Sequence, residues 1–283
     1  MGIIFGLLSM LGWGTADFLT VNPVRKIGPI SILLWTQIAG FFITLVYFLA
    51  NPACFDAGQV VKYLYLLVPA VFLHLVGYLA YYKGFEKGQL SLVSPISASY
   101  SMIVVFLSLV FFRESLKVNQ VVAVGLLILG IVLVSLDLRK LNAFAGAKEG
   151  LISMLGFGFS MFLIIPAARA LGWFAPVFLF RFFLLIYLAI FMFFRKRSLK
   201  ITFPPLSPLF YFSLLAIGFL NTGAFFAYNF GVTKEYASIV SPIGASYPLV
   251  AIILAGIFLK EKLVLTQILG IFGVISGLIL ISF

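Results

Sequence analysis

The sequence predicts an all-α integral membrane protein with ten transmembrane helices, arranged as two inverted five-helix repeats around a central cavity. Three observations support this prediction. The 283 residues are 63% hydrophobic and only 10% charged, a balance that one compact soluble core cannot hide. The apolar residues form ten runs, each about as long as a helix that crosses a bilayer. The second half of the chain also repeats the first.

The ten apolar runs are separated by short polar segments, none of them long enough for a soluble domain. Because backbone groups inside hydrocarbon must satisfy their own hydrogen bonds, each run is predicted to be a helix. The predicted spans, numbered one to ten, cover residues 3–20, 30–50, 63–82, 92–112, 119–137, 150–167, 174–194, 209–230, 238–259 and 266–283.

Basic residues are distributed unevenly between the loops. Thirteen Lys and Arg follow odd-numbered spans and five follow even-numbered spans. Because basic loops tend to stay in the cytoplasm, this distribution predicts that both chain ends lie outside. No basic segment precedes the first apolar run, so we interpret it as a span rather than a cleaved signal peptide. We expect a multi-pass protein of the plasma membrane.

A long stretch in the first half of the chain recurs near its end. "SPISASYSMIVVFLSLVFFRE" from Ser94 matches "SPIGASYPLVAIILAGIFLKE" from Ser241, at an offset of 147 residues. "GLLSMLGWG" from Gly6 matches "GLISMLGFG" from Gly150, at an offset of 144. We therefore predict one repeat over residues 1–143 and a second over 144–283. A five-span unit inserts in the opposite orientation to its copy, because five is odd, and inverted repeats are typical of secondary transporters.

The repeated segments resemble the EamA-type members of the drug/metabolite transporter superfamily. The resemblance rests on the paired Ser-Pro-Ile segments, the small residues after them, and Glu114 and Glu261, each followed by Leu and then Gln. It implies a ten-helix transporter of small polar metabolites such as amino acids, often an exporter, with both termini inside in many relatives. A sugar transporter or a drug or cation transporter of the same superfamily is an alternative. A channel, a lipid-handling protein and a scaffold without transport are others.

The Ser-Pro segments are predicted to line the cavity and to bend spans four and nine. Proline lacks an amide hydrogen and favours a kink or a first helical turn, so we expect bends at Pro95, Pro242 and Pro248. Ser94 and Ser241 are predicted N-caps. Small polar residues also let a ligand or another helix approach closely. The candidate substrate contacts here are Ser97, Ser99, Tyr100, Ser246 and Tyr247, with helix packing as the alternative.

Two polar and aromatic stripes occupy corresponding positions in spans three and eight. His74, Tyr78 and Tyr81 share one helical face, and the matching stripe starts at Asn221. Aromatic faces can hold cations or stack on rings, so both stripes are predicted to line the cavity. The candidate substrate contacts are His74, Tyr78, Tyr81, Tyr82, Asn221, Tyr228 and Asn229. A histidine satisfied within a helix interface is the alternative for His74.

Ionisable residues inside spans are costly in lipid and often functional. Trp13 is a predicted substrate contact, and Asp17 follows it by one helical turn. Asp17 is predicted to couple transport to protons or to pair with a cationic substrate group, and contact with water at a helix end is the alternative. Its counterpart in the second repeat is Met161, so this site is asymmetric. Arg181 either binds a substrate carboxylate or snorkels or pairs within the bundle.

The residues needed for other chemistries are scarce in the sequence. One histidine and one cysteine cannot build an ordinary His/Cys zinc site, and no phosphate-binding G-x-x-x-x-G-K-S/T loop occurs. We therefore predict no metal, no cofactor and no enzymatic activity. The net charge of +11 comes from scattered loops, which argues against nucleic acid. The expected partners are a small-molecule substrate and the bilayer, with a monomer or a homodimer through spans five and ten.

Overall fold

The computed structural model describes residues 1–88, 90–135, 145–194, 207–258 and 264–282, and within these ranges the chain is helical without strands. A short 3-10 turn occupies Pro52–Cys54. The helices are α1 (Gly2–Ile27), α2 (Pro29–Ala50), α3 (Ala57–Val61), α4 (Leu64–Lys87), α5 (Leu90–Ala98), α6 (Tyr100–Phe111), α7 (Val118–Ser135), α8 (Ala147–Leu171), α9 (Phe174–Phe194), α10 (Pro208–Lys234), α11 (Ala237–Ala245), α12 (Tyr247–Phe258) and α13 (Leu265–Leu280).

Eight helical segments in the described ranges are long and apolar enough to cross a membrane. Six of them are single helices, and two combine α5 with α6 and α11 with α12. The all-α membrane class predicted from the sequence is confirmed. α13 has 16 described residues, or about 24 Å of helix, which is shorter than a bilayer core. Because α7 is also among the shorter apolar helices, ten complete spans stay a prediction.

In each half of the chain, the first helix packs against helices of the other half. The first helix of one half, α1, lies along α10, and its counterpart α8 lies along α4 in the same way. α1 also contacts α12, and α8 contacts the equivalent helix α6. α7 and α13, the last helices of the halves, pack on each other. Each repeat therefore sits in an equivalent environment, while their opposite orientation in the membrane stays a prediction.

The predicted fourth and ninth spans are each broken into two helices, and the breaks lie at serines rather than at prolines. Pro95 and Pro242 lie inside α5 and α11, and the breaks follow four residues later at Ser99 and Ser246. The Ser99 hydroxyl donates to the Pro95 carbonyl at 3.1 Å, and Ser246 to Pro242 at 2.8 Å. Such bonds to a carbonyl four residues back bend helices. Pro248 is the second residue of α12, where a missing amide hydrogen costs little.

The expectation that Ser94 and Ser241 cap helices is wrong. α5 and α11 begin four residues before these serines, so both serines lie inside helices. Their hydroxyls instead face tyrosines of other helices, Tyr81 and Tyr228. A serine can satisfy its hydroxyl across a helix interface as well as at a helix start, and only the packing distinguishes the two uses.

Glycines bring α7 and α13 together within one chain. A Cβ atom on Gly270 would lie 2.5 Å from the backbone nitrogen of Val134 and 2.7 Å from the carbonyl oxygen of Gly130. These small residues are therefore used for close packing inside the monomer. A homodimer through the same helices stays an untested prediction.

Gly270→Ala is expected to lower the free energy of unfolding by about 1–3 kcal/mol, because the added methyl group would overlap backbone atoms. Gly125→Ala in α7 is the matched control, since nothing lies within 4 Å of a Cβ atom at that position. The control is expected to be neutral or to stabilise by up to about 1 kcal/mol. Denaturant unfolding of the purified protein in detergent measures both, and equal effects would contradict the close packing at Gly270.

Candidate substrate-binding site

A small cavity lies at the centre of the molecule, where helices of both halves meet. Its volume is about 40 Å³, enough for a few waters and far below the roughly 300 Å³ of a small ligand pocket. The structure is therefore closed around its centre. The lining helices are α1, α4, α6, α8, α10 and α12; the predicted contacts lie in the spans of five of them, and α8 belongs to span six, for which no contact is predicted. The lining residues are Trp13, Asp17, His74, Tyr78, Tyr81, Tyr100, Phe157, Met161, Asn221, Phe225 and Tyr247.

Residues at corresponding positions of the two repeats face each other across this cavity. The five pairs are Trp13 with Phe157, Asp17 with Met161, His74 with Asn221, Tyr78 with Phe225, and Tyr100 with Tyr247. The first two pairs differ by 144 residues and the other three by 147. The cavity therefore lies where the two repeats meet. The paired lining residues come from equivalent positions of the two repeats, but their chemistry differs. Asp17 is paired with Met161, and Tyr78 with Phe225.

Asp17 forms a hydrogen-bonded cluster with side chains of two other helices. The Tyr81 hydroxyl donates to Oδ2 of Asp17, and the Ser94 hydroxyl donates to the same oxygen at 3.1 Å. Among the described residues, none donates a hydrogen bond to Oδ1 of Asp17. Because Asp17 lines the cavity, this oxygen is available to a proton or to a donor group of a bound solute.

The second repeat keeps the tyrosine–serine part of this cluster without the acid. The hydroxyls of Tyr228 and Ser241 lie 2.8 Å apart, as those of Tyr81 and Ser94 lie 3.2 Å apart. Met161 stands where Asp17 stands in the first repeat. The acid is therefore present beside only one of the two equivalent tyrosine–serine pairs, and the site is asymmetric, as the alignment of the repeats predicts.

His74 is fixed by aromatic rings and one serine. Its Nδ1 lies 2.9 Å from the Ser160 hydroxyl, and its ring centre lies 4.7 Å from that of Tyr78 and 4.5 Å from that of Phe157. The residue is only 2% exposed. The ring of His74 thus lines the cavity, and its Nδ1 is hydrogen-bonded within a helix interface. This environment is compatible both with a substrate contact and with a histidine that serves helix packing.

Arg181 lies behind the cavity wall and binds two amide side chains. Its Nη1 donates to Oε1 of Gln37 at 2.5 Å, and its Nη2 donates to Oδ1 of Asn221 at 2.8 Å. The Tyr78 hydroxyl donates to the same Asn221 oxygen at 3.2 Å. The guanidinium also lies 5.0 Å from the ring centre of Phe225, within the range of a cation–π contact. With 1% exposure, Arg181 pairs within the bundle and does not snorkel.

The other predicted contacts lie outside the cavity lining. They are Tyr82, Ser97, Ser99, Tyr228, Asn229 and Ser246. Ser97 accepts a hydrogen bond from Ser153 at 2.7 Å, and Asn229 donates to the Phe225 carbonyl at 2.9 Å. These bonds serve helix packing, which is the alternative that the sequence leaves open for small polar residues.

Two residues of the site are missing from the sequence prediction. Phe157 could be found as the counterpart of Trp13 at an offset of 144. Gln37 could be found as a glutamine inside an apolar span, where an unsatisfied amide is costly. Within the described ranges no three His, Cys, Asp or Glu side chains could hold a metal ion. The cavity offers a carboxylate and aromatic faces, and the guanidinium of Arg181 lies behind its wall.

Glu114, in the segment between α6 and α7, fastens the two halves at one end of the bundle. Its carboxylate accepts hydrogen bonds from Nη2 of Arg169 at 2.5 Å, from the Ser238 hydroxyl at 2.6 Å, and from the amides of Ala237 and Ser238 at 3.0 and 2.9 Å. Burial alone would raise the pKa of Glu114, but the bonds from Ser238 and Arg169 hold this pKa below its usual value. Glu114 thereby caps α11, while its counterpart Glu261 lies outside the described residues.

Two stretches of the chain, residues 1–136 and 146–283, match the EamA-like transporter family. An uncharacterized protein of Methanocaldococcus jannaschii is 30% identical over 135 residues, which cover 48% of this chain and 96% of that protein. An uncharacterized transporter of Archaeoglobus fulgidus is 27% identical over 218 residues, which cover 77% of this chain and 75% of that protein. One crystal structure of a protein with 14% sequence identity has a TM-score of 0.72 and covers 99% of this chain and 95% of that one. That last likeness concerns the fold alone.

Proposed function

The chain belongs to the EamA-like transporter family, and from this premise we propose that it is a secondary active transporter of small polar or amphipathic metabolites, such as amino acids. We propose that it exports or exchanges them across the plasma membrane by alternating access between its two repeats. One observation supports this most strongly. The central cavity is lined by paired residues of both repeats, so any relative movement of the halves changes the shape and the accessibility of the cavity.

Ion pairs that join the two halves near opposite ends of α8 also support alternating access. At one end Glu114 binds Arg169. At the other end Lys87 of α4 lies 2.7 Å from Glu149 of α8, about 30 Å away along the helix. We propose that one of these ends opens when a solute enters the closed cavity. The Lys87–Glu149 pair is the more exposed one, with 49% and 14% side-chain exposure, so it is the weaker of the two.

Counterflow in proteoliposomes tests the proposal. Vesicles that hold the purified protein and a high concentration of unlabelled amino acid are expected to accumulate the labelled form transiently, because a carrier exchanges solutes across the membrane. A channel gives no such trans-stimulation, and its absence for every amino acid would refute the proposal that the protein carries amino acids.

Trp13→Leu is expected to lower this counterflow by about tenfold or more, a change that corresponds to about 1.4 kcal/mol of lost binding. The indole of Trp13 lines the cavity and packs against Phe225 and Tyr247. Trp173→Leu is the matched control, since Trp173 borders a groove on the outer surface between α1 and α10. Equal losses in both variants would contradict a role of the central cavity.

A carrier of organic cations is the alternative function that a specific observation favours. The cavity has aromatic walls and one acidic residue, Asp17, a combination that suits cations. Uptake of simple amines by the wild-type protein would favour this alternative.

A further inference from the structure

We propose that Arg181 determines the specificity of this site by binding the carboxylate of the transported solute. The inference rests on the proposed function, which says that a small solute binds in the central cavity, and adds the chemical group that the solute must contain. Arg181 does not itself line the cavity. Four observations on its surroundings support the assignment.

The charge of Arg181 is not neutralised. Among the residues that the structure describes, no carboxylate lies within ion-pair distance of its guanidinium. Its hydrogen-bond partners there are neutral, namely the amides of Gln37 and Asn221, and the neutral hydroxyl of Tyr78 lies beside it. Burying a cation without an acidic partner is costly, and buried arginines are normally paired. A residue kept only for packing would not need this charge.

The hydrogen-bonding capacity around Arg181 is also incomplete. Nε of Arg181 and Nε2 of Gln37 are buried and have no partner. Buried donors are usually satisfied, because leaving one without a partner destabilises the folded protein. A carboxylate has two acceptor oxygens and can accept two parallel hydrogen bonds from a guanidinium. A bound carboxylate would therefore accept a hydrogen bond from the Arg181 donor that the amides of Gln37 and Asn221 leave without a partner.

Arg181 contacts side chains that line the cavity, among them Asn221 and Phe225. Asn221 lines the cavity, and its Oδ1 accepts hydrogen bonds from both Arg181 and Tyr78. This oxygen occupies a position that a carboxylate oxygen of a bound solute could take when the cavity opens and Asn221 rotates aside.

Space for the guanidinium is provided by a glycine. A Cβ atom on Gly40 of α2 would lie 3.2 Å from Nε of Arg181 and 2.5 Å from the Thr222 hydroxyl. The close approach of α2 keeps the arginine in place beside the cavity. Asp17, with a free oxygen on another part of the wall, can accept an ammonium group if the same solute has one. The preferred solute is therefore a small molecule with a carboxylate.

The first test compares matched probes on the wild-type protein. Each of three sets shares one side chain and differs in whether it carries an amine, a carboxylate or both: alanine, ethylamine and propanoate; leucine, 3-methylbutylamine and 4-methylpentanoate; phenylalanine, phenethylamine and 3-phenylpropanoate. Binding is measured by thermal shift in detergent. In at least one set the probes with a carboxylate are expected to bind at least about tenfold more tightly than the amine. An amine that binds as tightly as its carboxylate-bearing analogues in every set would overturn the inference.

The second test uses variants of the arginine. Arg181→Gln is expected to abolish the preference for a carboxylate, while Arg181→Lys is expected to keep the preference with weaker binding. Arg25→Gln, which changes an exposed arginine of α1, is expected to bind all probes like the wild type. If Arg181→Gln folds and keeps the preference, the inference is wrong. If Arg181→Gln does not fold, the inference is judged from the binding of the same probes to Arg181→Lys and to the wild-type protein.

The two proposals fail in different ways. Counterflow of amines without any preference for a carboxylate would refute the assignment of Arg181 and leave the carrier function intact. Carboxylate-dependent binding without counterflow would refute the carrier function and leave the assignment of Arg181 intact.

Discussion

Glu114→Ala is expected to lower the free energy of unfolding by about 3 kcal/mol. The substitution removes a carboxylate that is 2% exposed and leaves Arg169 and the first amides of α11 without their acceptor. Removing one partner of a buried ion pair costs about 3–5 kcal/mol. The lower value is appropriate because one third of the Arg169 side chain reaches solvent. Denaturant unfolding of the purified protein in detergent measures this change.

Glu149→Ala is the matched control for Glu114→Ala, because it also removes an acid that joins the two halves. Its partner Lys87 is half-exposed, so the expected cost is about 0–1 kcal/mol. A similar loss of stability in both variants would contradict the view that the Glu114 cluster stabilises the contact between the halves more than the Lys87–Glu149 pair does.

The contribution of Glu114 is also expected to depend on pH. Its pKa is lowered in the folded protein, so the unfolded chain binds the proton more tightly. The stabilisation is therefore present above the usual pKa of 4.5 and is lost as the pH falls through the lower folded-state value. Unfolding curves of wild type and Glu114→Gln should converge toward acid pH, and a difference that stays constant from pH 7 to pH 3 would contradict this.

Asp17→Asn is expected to lower counterflow by about tenfold or more, and to remove its dependence on pH. Asp17 is the one acidic side chain among the residues that line the cavity. An amide at this position can still accept the hydrogen bonds from Tyr81 and Ser94, but it cannot take up or release a proton. The measurement is the initial rate of uptake into proteoliposomes between pH 5.5 and pH 8.

Two variants serve as controls for Asp17→Asn. Asp56→Asn changes an acid that caps the short helix α3, far from the cavity, and is expected to keep the pH dependence. Met161→Leu changes the counterpart of Asp17 in the second repeat and is also expected to keep it. If Asp17→Asn transports with the same pH profile as the wild type, proton coupling through Asp17 is refuted.

Sequence reasoning succeeded where a pattern has one physical interpretation. Long apolar runs must be helices in a bilayer, and eight of the ten predicted runs coincide with helical segments in the described ranges that are long enough to cross a membrane. His74 and Asn221, which share one repeat offset, both line the cavity, and their contact with a substrate stays a prediction. The same reasoning failed for Ser94 and Ser241, since a serine before a proline suits a helix start as well as a helix interface.

The partners of individual side chains needed the tertiary structure. Nothing in the sequence connects Arg181 with Gln37, which lies 144 residues away, or Glu114 with Ser238, which lies 124 residues away. Ser97 and Ser99 have the same residue type in one segment, yet one binds Ser153 and the other its own helix backbone. Such differences depend on which neighbouring helix comes within 3 Å of a hydroxyl group.

Hydropathy and internal repetition belong to the chain whatever its packing, so an all-helical membrane protein made of two related halves follows from the amino-acid order alone. Which polar groups face the cavity and which face another helix depends on how the helices pack. A buried polar group must find a partner, and partners from distant parts of the chain come together only in the packed bundle.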